Sequence, residues 1–227
     1  MSDPLRLVVF DVDGTLVDSQ ADIISSMTAA FAVVGLPVPD RATILSGVGL
    51  SLDVLMPMLA PDADHHTHDV LVQAYKDSYM LTRQKVGAAQ SSPLYPGARE
   101  CLEALNERDD LVLGVATGKS KRGLEKLIEG HGFERMFVTQ QVADFHPSKP
   151  HPSMLHTAIA EAGVDRENAV MIGDTEFDMQ MARDAGMRSI GVTWGYHTAD
   201  RLAHATHTAD HFHELPELLS KIWSMSS

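Results

Sequence analysis

The segment FDVDGTLVDS, Phe10 to Ser19, sets Asp11, Asp13 and Asp18 within eight residues, directly after an apolar run and interrupted by Gly14. Carboxylates this close repel one another, so they need either full solvation or a cation. Three later segments hold residue types that answer such a need. They are VATGK with Thr117, Gly118 and Lys119, PSKPHP with Lys149, and GDTEFD with Asp174 and Asp178. Acids, a hydroxyl, a backbone N–H free of a β-carbon and a lysine suit transfer of a phosphoryl group. That reaction needs an in-line nucleophile, neutralised equatorial oxygens and a proton for the leaving group.

Residues so far apart meet only if the fold brings them to one place. Five β-branched runs end abruptly in polar residues or glycine: LRLVVF (5–10), LVLGVAT (111–117), MFVTQQV (136–142), AVMIGDT (169–175) and SIGVTWG (189–195). TADHFHEL (208–215) is a weaker sixth. They read as strands buried on both faces, as in a parallel sheet covered by helices. Helical patterns lie between them at 97–108, 120–132, 153–163 and 177–186, three running into a glycine suited to a C-cap. Strand alternating with helix predicts an α/β doubly wound core. In such a sheet, ligands bind beyond the carboxyl ends of the strands, and every chemistry-bearing segment above follows a strand.

Residues ~20–92 break this rhythm. Ile23, Ile24, Met27, Phe31 and Val34 form a helical stripe ending at Gly35, and Val70, Leu71, Ala74 and Tyr75 repeat the pattern. This is an all-helical insert between the first strand and the return of alternation at LYPGARE (94–100). The expected organisation is a core of 1–18 and 93–227 with a helical cap of 19–92. No internal repeat or low-complexity tract is present.

The 227 residues carry a formal net charge of −13, which argues against nucleic acid as a partner. It leaves room for a small phosphorylated molecule at a locally cationic site. One cysteine, Cys101, excludes an intramolecular disulfide and points to a reducing compartment. The apolar stretch near the N-terminus is short for a signal peptide, and no run of ~20 apolar residues suits a membrane span. The expectation is a soluble, cytoplasmic protein; monomer or homodimer is not decided.

DVDGTLVDS, VATGK, SKPHP and GDTEFDMQMARDAG, in that order, resemble the four signature motifs of the haloacid dehalogenase (HAD) superfamily. Within it the chain is similar to the phosphoglycolate-phosphatase-like branch, with its helical cap after the first motif. The resemblance covers essentially the whole chain. It implies a Rossmann-like core and a phosphatase that acts on a small phosphorylated metabolite, 2-phosphoglycolate being the best single guess.

The roles follow from the residue types. Asp11 is the candidate nucleophile, forming an aspartyl-phosphate that water hydrolyses. Asp13, two residues on along an extended backbone, points to the same side and serves as general acid, then general base. Thr117 and Gly118 offer donors to the phosphoryl oxygens, and Lys149 gives a fixed positive charge to the nucleophile and phosphoryl group. Asp11 and Asp174, with the backbone carbonyl of Asp13, suit Mg²⁺, and Asp178 supports the metal shell.

Plainer readings stand beside several of these. Asp18 with Ser19 caps the next helix. Lys119 is a solvated neighbour of Thr117 and Gly118, outside the site. Asp178 alone is an early-helix acid favoured by the dipole. DHHTHD (64–69) and HATHTADHFH (204–213) lack zinc spacing and read as surface histidines or a weak adventitious metal site. GVGLS (47–51) is either a substrate-selecting turn or a plain helix connection. Arg41, Lys76, Arg83 and Lys85 are cap cations that a substrate carboxylate could meet, and the 12 methionines are core filler.

Asp13 argues against dehalogenation, which needs no acid at that position. A phosphonate hydrolase would need a cap lysine poised for a Schiff base, and none stands out. A sugar-phosphate mutase of the same superfamily is the alternative, differing in how the cap shields the intermediate from water. A phospho-accepting signalling module would be about half as long, without an insert. A protein that has lost activity would not keep Asp11, Asp13, Thr117, Lys149 and Asp174 together. The leaving group depends on cap side chains and is not readable from the core motifs.

Overall fold

The β-branched runs become strands wherever both of their faces are covered. A computed structural model of the chain describes residues 4–224; residues 1–3 and 225–227, the outer ends of the expected core segments, lie outside the described residues. The strands β1 (Arg6–Phe10), β2 (Leu111–Thr117), β3 (Phe137–Val142), β4 (Ala169–Gly173), β5 (Arg188–Val192) and β6 (His207–Ala209) form one parallel sheet. Their order is β3-β2-β1-β4-β5-β6. The order reverses beside β1, the position where an open α/β sheet leaves a crevice. Phe10 pairs with Val115 on one side and Ile172 on the other. That register carries Asp11, Thr117 and Asp174 out at the same edge.

Side-chain alternation divides β1 between two cores. Val8 and Phe10 join a cluster with helices α6 (Ala98–Asn106), α7 (Lys121–His131) and α10 (Leu215–Ser224). Leu7 and Val9 join a second with α8 (Ser153–Ala162) and α9 (Glu176–Asp184). All four side chains are fully buried, each worth roughly 1.5–3 kcal/mol of transfer free energy.

The insert is helical, with α1 (Gln20–Val34), α2 (Arg41–Ser46), α3 (Leu52–Leu59), α4 (His65–Val86) and α5 (Ala88–Ser91). Ile23, Met27 and Phe31 of the expected stripe pack with Ile44, Met56, Leu71 and Tyr79 into a core of their own, while Ile24 and Val34 stay at its margin. The chain leaves and re-enters the sheet side by side. The Asp18 N–H donates to Pro93 O at 2.9 Å, and the Tyr95 N–H to Leu16 O at 3.0 Å.

Two expectations need correction. TADHFHEL is a strand only through Ala209; Phe212–Glu214 is a single 3₁₀ turn, and its Phe212 fills the core beneath α6. Leu215–Ser224 then forms a helix that the sequence reading passed over, burying Leu215, Leu219, Ile222 and Trp223. The methionines are mostly core residues, although Met58 is exposed. No helix among the described residues is long and apolar enough to cross a membrane.

Candidate active site

Asp11 follows the last residue of β1, and its N–H donates to Ile172 O of β4 at 2.9 Å, which fixes it at the switch point. The chain then folds back so that the N–H groups of Leu16 and Val17 both reach Val12 O. Gly14 makes this turn at φ 92°, where side-chain-bearing residues are disfavoured. A Cβ on Gly14 would lie 2.2 Å from Asp174 Oδ2, so only glycine lets the loop rest on that carboxylate. Gly195, beyond β5, approaches from the other side; its Cβ would lie 2.2 Å from Asp174 Cβ.

Asp174 is fully buried at the end of β4. Its Oδ1 accepts from the Thr15 hydroxyl at 2.9 Å and its Oδ2 from the Tyr196 N–H at 2.8 Å. Lys149 reaches the same place from the loop after β3, itself buried. Its Nζ donates to Asp11 Oδ1 at 2.5 Å and to Asp178 Oδ1 at 2.7 Å. Asp178 Oδ2 accepts from the N–H and hydroxyl of Thr175, closing a capping box at the start of α9. One carboxylate thus starts a helix and holds the lysine.

Oxygens of Asp11, Asp174 and Asp178 lie within 4.8 Å of one another. Three buried carboxylates face one buried ammonium, which leaves two negative charges uncompensated. The protein accordingly resists ionisation of Asp11 and Asp174. Burial, against the attraction of Lys149 and with repulsion from Asp178 and Asp13, pushes the Asp11 carboxyl up to about 7. Burial and the charges of Asp11 and Asp178 raise Asp174 as well. Burial alone would lower Lys149, but Asp11 and Asp178 outweigh it and keep the ammonium charged. Asp11 Oδ2 is buried with no hydrogen-bond partner. An orphaned hard oxygen, a second acid beside it and two unbalanced charges fit a divalent cation with oxygen ligands.

Asp13 lies at the cleft side of this cluster, with both oxygens engaged. Oδ1 accepts from the Ser19 hydroxyl at 2.6 Å, and Oδ2 pairs with Lys119 Nζ at 2.8 Å. Lys119 is therefore not the solvated residue expected; its side chain is only 9% exposed. Ser19 sits at the N-cap position of α1 but turns its hydroxyl to Asp13 instead of capping, and Asp18 accepts from the Gln20 N–H. Thr117 Oγ1 accepts from the Lys119 N–H at 3.2 Å. A Cβ on Gly118 would lie 2.5 Å from Gly49 O, so the absent side chain admits the 47–51 turn. That turn is an inter-region contact and not a plain connection: the Ser51 N–H donates to Ser148 Oγ at 2.8 Å.

The structure gathers every expected site residue. Asp11, Asp13, Thr117 and Gly118 line a cleft of about 840 Å³ between the sheet edge and the helical insert, and Lys149, Asp174 and Asp178 pack behind Asp11. Lys76 and Arg83 also line the cleft, whereas Arg41 and Lys85 do not. Among the described residues the acidic triad is the one group of three or more His, Cys, Asp or Glu side chains whose ligand atoms lie this close together. The sequence reading missed Thr15, Ser19, Lys119 and Tyr196. Only Lys119 had a signal, its place two residues after Thr117.

Residues 8–192 match the family model described as haloacid dehalogenase-like hydrolase. The chain is 34% identical, over 96% of its own length and 96% of the relative's, to an N-acetylmuramic acid 6-phosphate phosphatase of Pseudomonas aeruginosa. It is 35% identical to a phosphoglycolate phosphatase of Agrobacterium fabrum, over 84% and 81% of the two chains. A solved structure of a haloacid dehalogenase-like hydrolase from Streptococcus pneumoniae superposes with a TM-score of 0.80 at 27% identity, covering 94% and 98% of the two chains.

Proposed function

The chain belongs to the haloacid dehalogenase-like hydrolases and is a phosphatase of that family, and from this premise we propose how its residues divide the work and what they act on. The Asp11 carboxylate attacks phosphorus, the ester P–O bond breaks as the Asp11–phosphoryl bond forms, and Asp13 gives its proton to the departing oxygen. Water then attacks the aspartyl-phosphate, Asp13 takes the proton, and inorganic phosphate leaves with Asp11 restored. Thr117 and Gly118 hold phosphoryl oxygens at the cleft floor. Lys149, clamped by Asp178, keeps positive charge beside Asp11 throughout.

Mg²⁺ is the cofactor that suits Asp11, Asp174 and the Asp13 carbonyl, with Asp178 behind them; when bound it neutralises the crowded carboxylates and the phosphoryl oxygens. The observation that carries the reading is the buried, unpartnered Oδ2 of Asp11 within a three-acid cluster bordering an open cleft. Residues 19–92 act as a cap domain that supplies the outer wall of that cleft.

The substrate is a small phosphorylated metabolite, with 2-phosphoglycolate the first choice. A second reading has its own support. A cleft of about 840 Å³, near the upper end for small-ligand sites, is roomy for a two-carbon acid and suits a phosphorylated amino-sugar acid better. Comparing kcat/KM for phosphoglycolate and N-acetylmuramic acid 6-phosphate decides between them. Formation of an isomeric phosphoester without release of inorganic phosphate would overturn hydrolysis in favour of a mutase.

A further inference from the structure

We propose that Lys119 is a positioning residue that holds Asp13 in line with the ester oxygen, and that Tyr79 of the helical insert makes this hold conditional on the insert lying over the cleft. The inference rests on the acid–base role given to Asp13 above.

Lys119 follows β2, and its ammonium lies between two partners from different parts of the fold. On one side is Asp13 Oδ2 at 2.8 Å; on the other is the Tyr79 ring, whose centroid is 5.0 Å away. A cation over an aromatic face is attracted by the ring quadrupole, so the ring favours a buried lysine at that point. The ring is itself fixed. Its hydroxyl pairs with Ser92 Oγ at 3.1 Å, the Arg83 guanidinium stands 5.1 Å from its centroid, and the Tyr75 ring lies 5.9 Å away.

The other oxygen of Asp13 is held from the same region. Ser19, whose hydroxyl donates to Oδ1, is the residue immediately before α1, and its N–H and hydroxyl both contact the Tyr196 hydroxyl at 3.1 Å. Of the two contacts that orient Asp13, the one from Lys119 meets the insert through Tyr79, and the one from Ser19 is anchored on Tyr196 beyond β5. Withdrawal of Tyr79 would leave the lysine facing water, where it has no reason to remain on Oδ2. The acid would then be aimed only when the cleft is covered.

The test compares kcat/KM for p-nitrophenyl phosphate, whose leaving group departs without a proton, with that for an alkyl ester. The alkyl ester is phosphoglycolate or N-acetylmuramic acid 6-phosphate, whichever turns over faster. Lys119→Met should lower the alkyl value at least about tenfold more than the aryl value, within the range expected for acid catalysis. Lys119→Arg should restore most of the ratio. Equal losses for the two esters would overturn the proposal, since a role in binding or folding affects both alike. Tyr79→Leu should shift the ratio in the same direction and Tyr79→Phe should not. In the Lys119→Met background Tyr79→Leu should add nothing; a further multiplicative loss would sink the link between them. Full hydrolysis by Asp11→Asn would instead overturn the underlying reaction scheme.

Discussion

The Lys149 ammonium nitrogen stands 2.5 Å from Oδ1 of Asp11, and both side chains are buried. The same nitrogen is 2.7 Å from Asp178 Oδ1, so one lysine offsets two buried acids. Lys149→Met removes that charge and leaves both carboxylates unpaired. In chelator, urea denaturation should show a loss of about 3–5 kcal/mol, the usual cost of breaking a buried pair from one side. Mg²⁺ should recover part of it. A loss below about 1 kcal/mol would mean that the pair does not carry the cluster's electrostatics.

The acid cluster also sets the metal requirement. Asp174→Asn keeps the hydrogen-bonding shape but removes one charge from a group of three carboxylates. The Mg²⁺ concentration for half-maximal turnover should rise by at least about tenfold, and Mg²⁺ should no longer raise the melting temperature. Chelation should reduce wild-type hydrolysis to background. Unchanged turnover in chelator would remove the metal from the scheme.

Backbone proximity to Asp174 yields a third expectation. Gly195→Ala would drive a methyl group into the Asp174 side chain, 2.2 Å from its Cβ. The same tenfold or greater rise in Mg²⁺ demand should follow. Gly35→Ala is the control. Its φ of 69° carries strain of about 1–2 kcal/mol for a β-carbon, but no heavy atom lies within 4 Å, so turnover should be unaltered. Equal effects of the two variants on Mg²⁺ demand would show that the Asp174 contact is immaterial.

His197 ties the two regions together. Its Nδ1 accepts from the Glu176 N–H at 3.1 Å, and its Nε2 lies 3.0 Å from Ser46 O at the end of α2. Only a neutral ring protonated on Nε2 satisfies both. Burial, with the Arg201 charge, lowers its pKa below the ordinary 6.5. The unfolded chain therefore takes up the proton first. The stability this residue contributes is whole above 6.5 and declines as pH falls through the lower folded value. His197→Ala should cost about 1–3 kcal/mol at pH 7.5, and the gap from wild type should narrow towards pH 5. A gap independent of pH would contradict the neutral-ring assignment.

Much of this arrangement was legible in the residue order because strands buried on both faces are nearly continuous apolar runs. LVLGVAT matches β2 residue for residue. Asp11, Thr117, Lys149 and Asp174 were readable because each stands at or beyond the carboxyl end of a strand of one parallel sheet. Lys119 was misread for a physical reason. A lysine beside a cleft is solvated unless something covers it, and the cover is a ring 40 residues earlier in another core. Tyr196 and His197 left no trace, since they act through a backbone N–H and a ring set by the packing of the insert. The α10 helix was lost to a strand reading that ran His211, Phe212 and His213 together, although Leu215, Leu219 and Ile222 carry a helical stripe.

The central assignment is that the phosphoryl group passes through Asp11. Turnover of p-nitrophenyl phosphate with Mg²⁺, quenched in mid-reaction and treated with borohydride, would convert an acyl phosphate to the alcohol, and peptide mass spectrometry locates it. That modification is expected at position 11 and at no other aspartate, with none in Asp11→Asn. An unmodified Asp11 during undiminished turnover, or the acyl phosphate on Asp13 or Asp174, would contradict it.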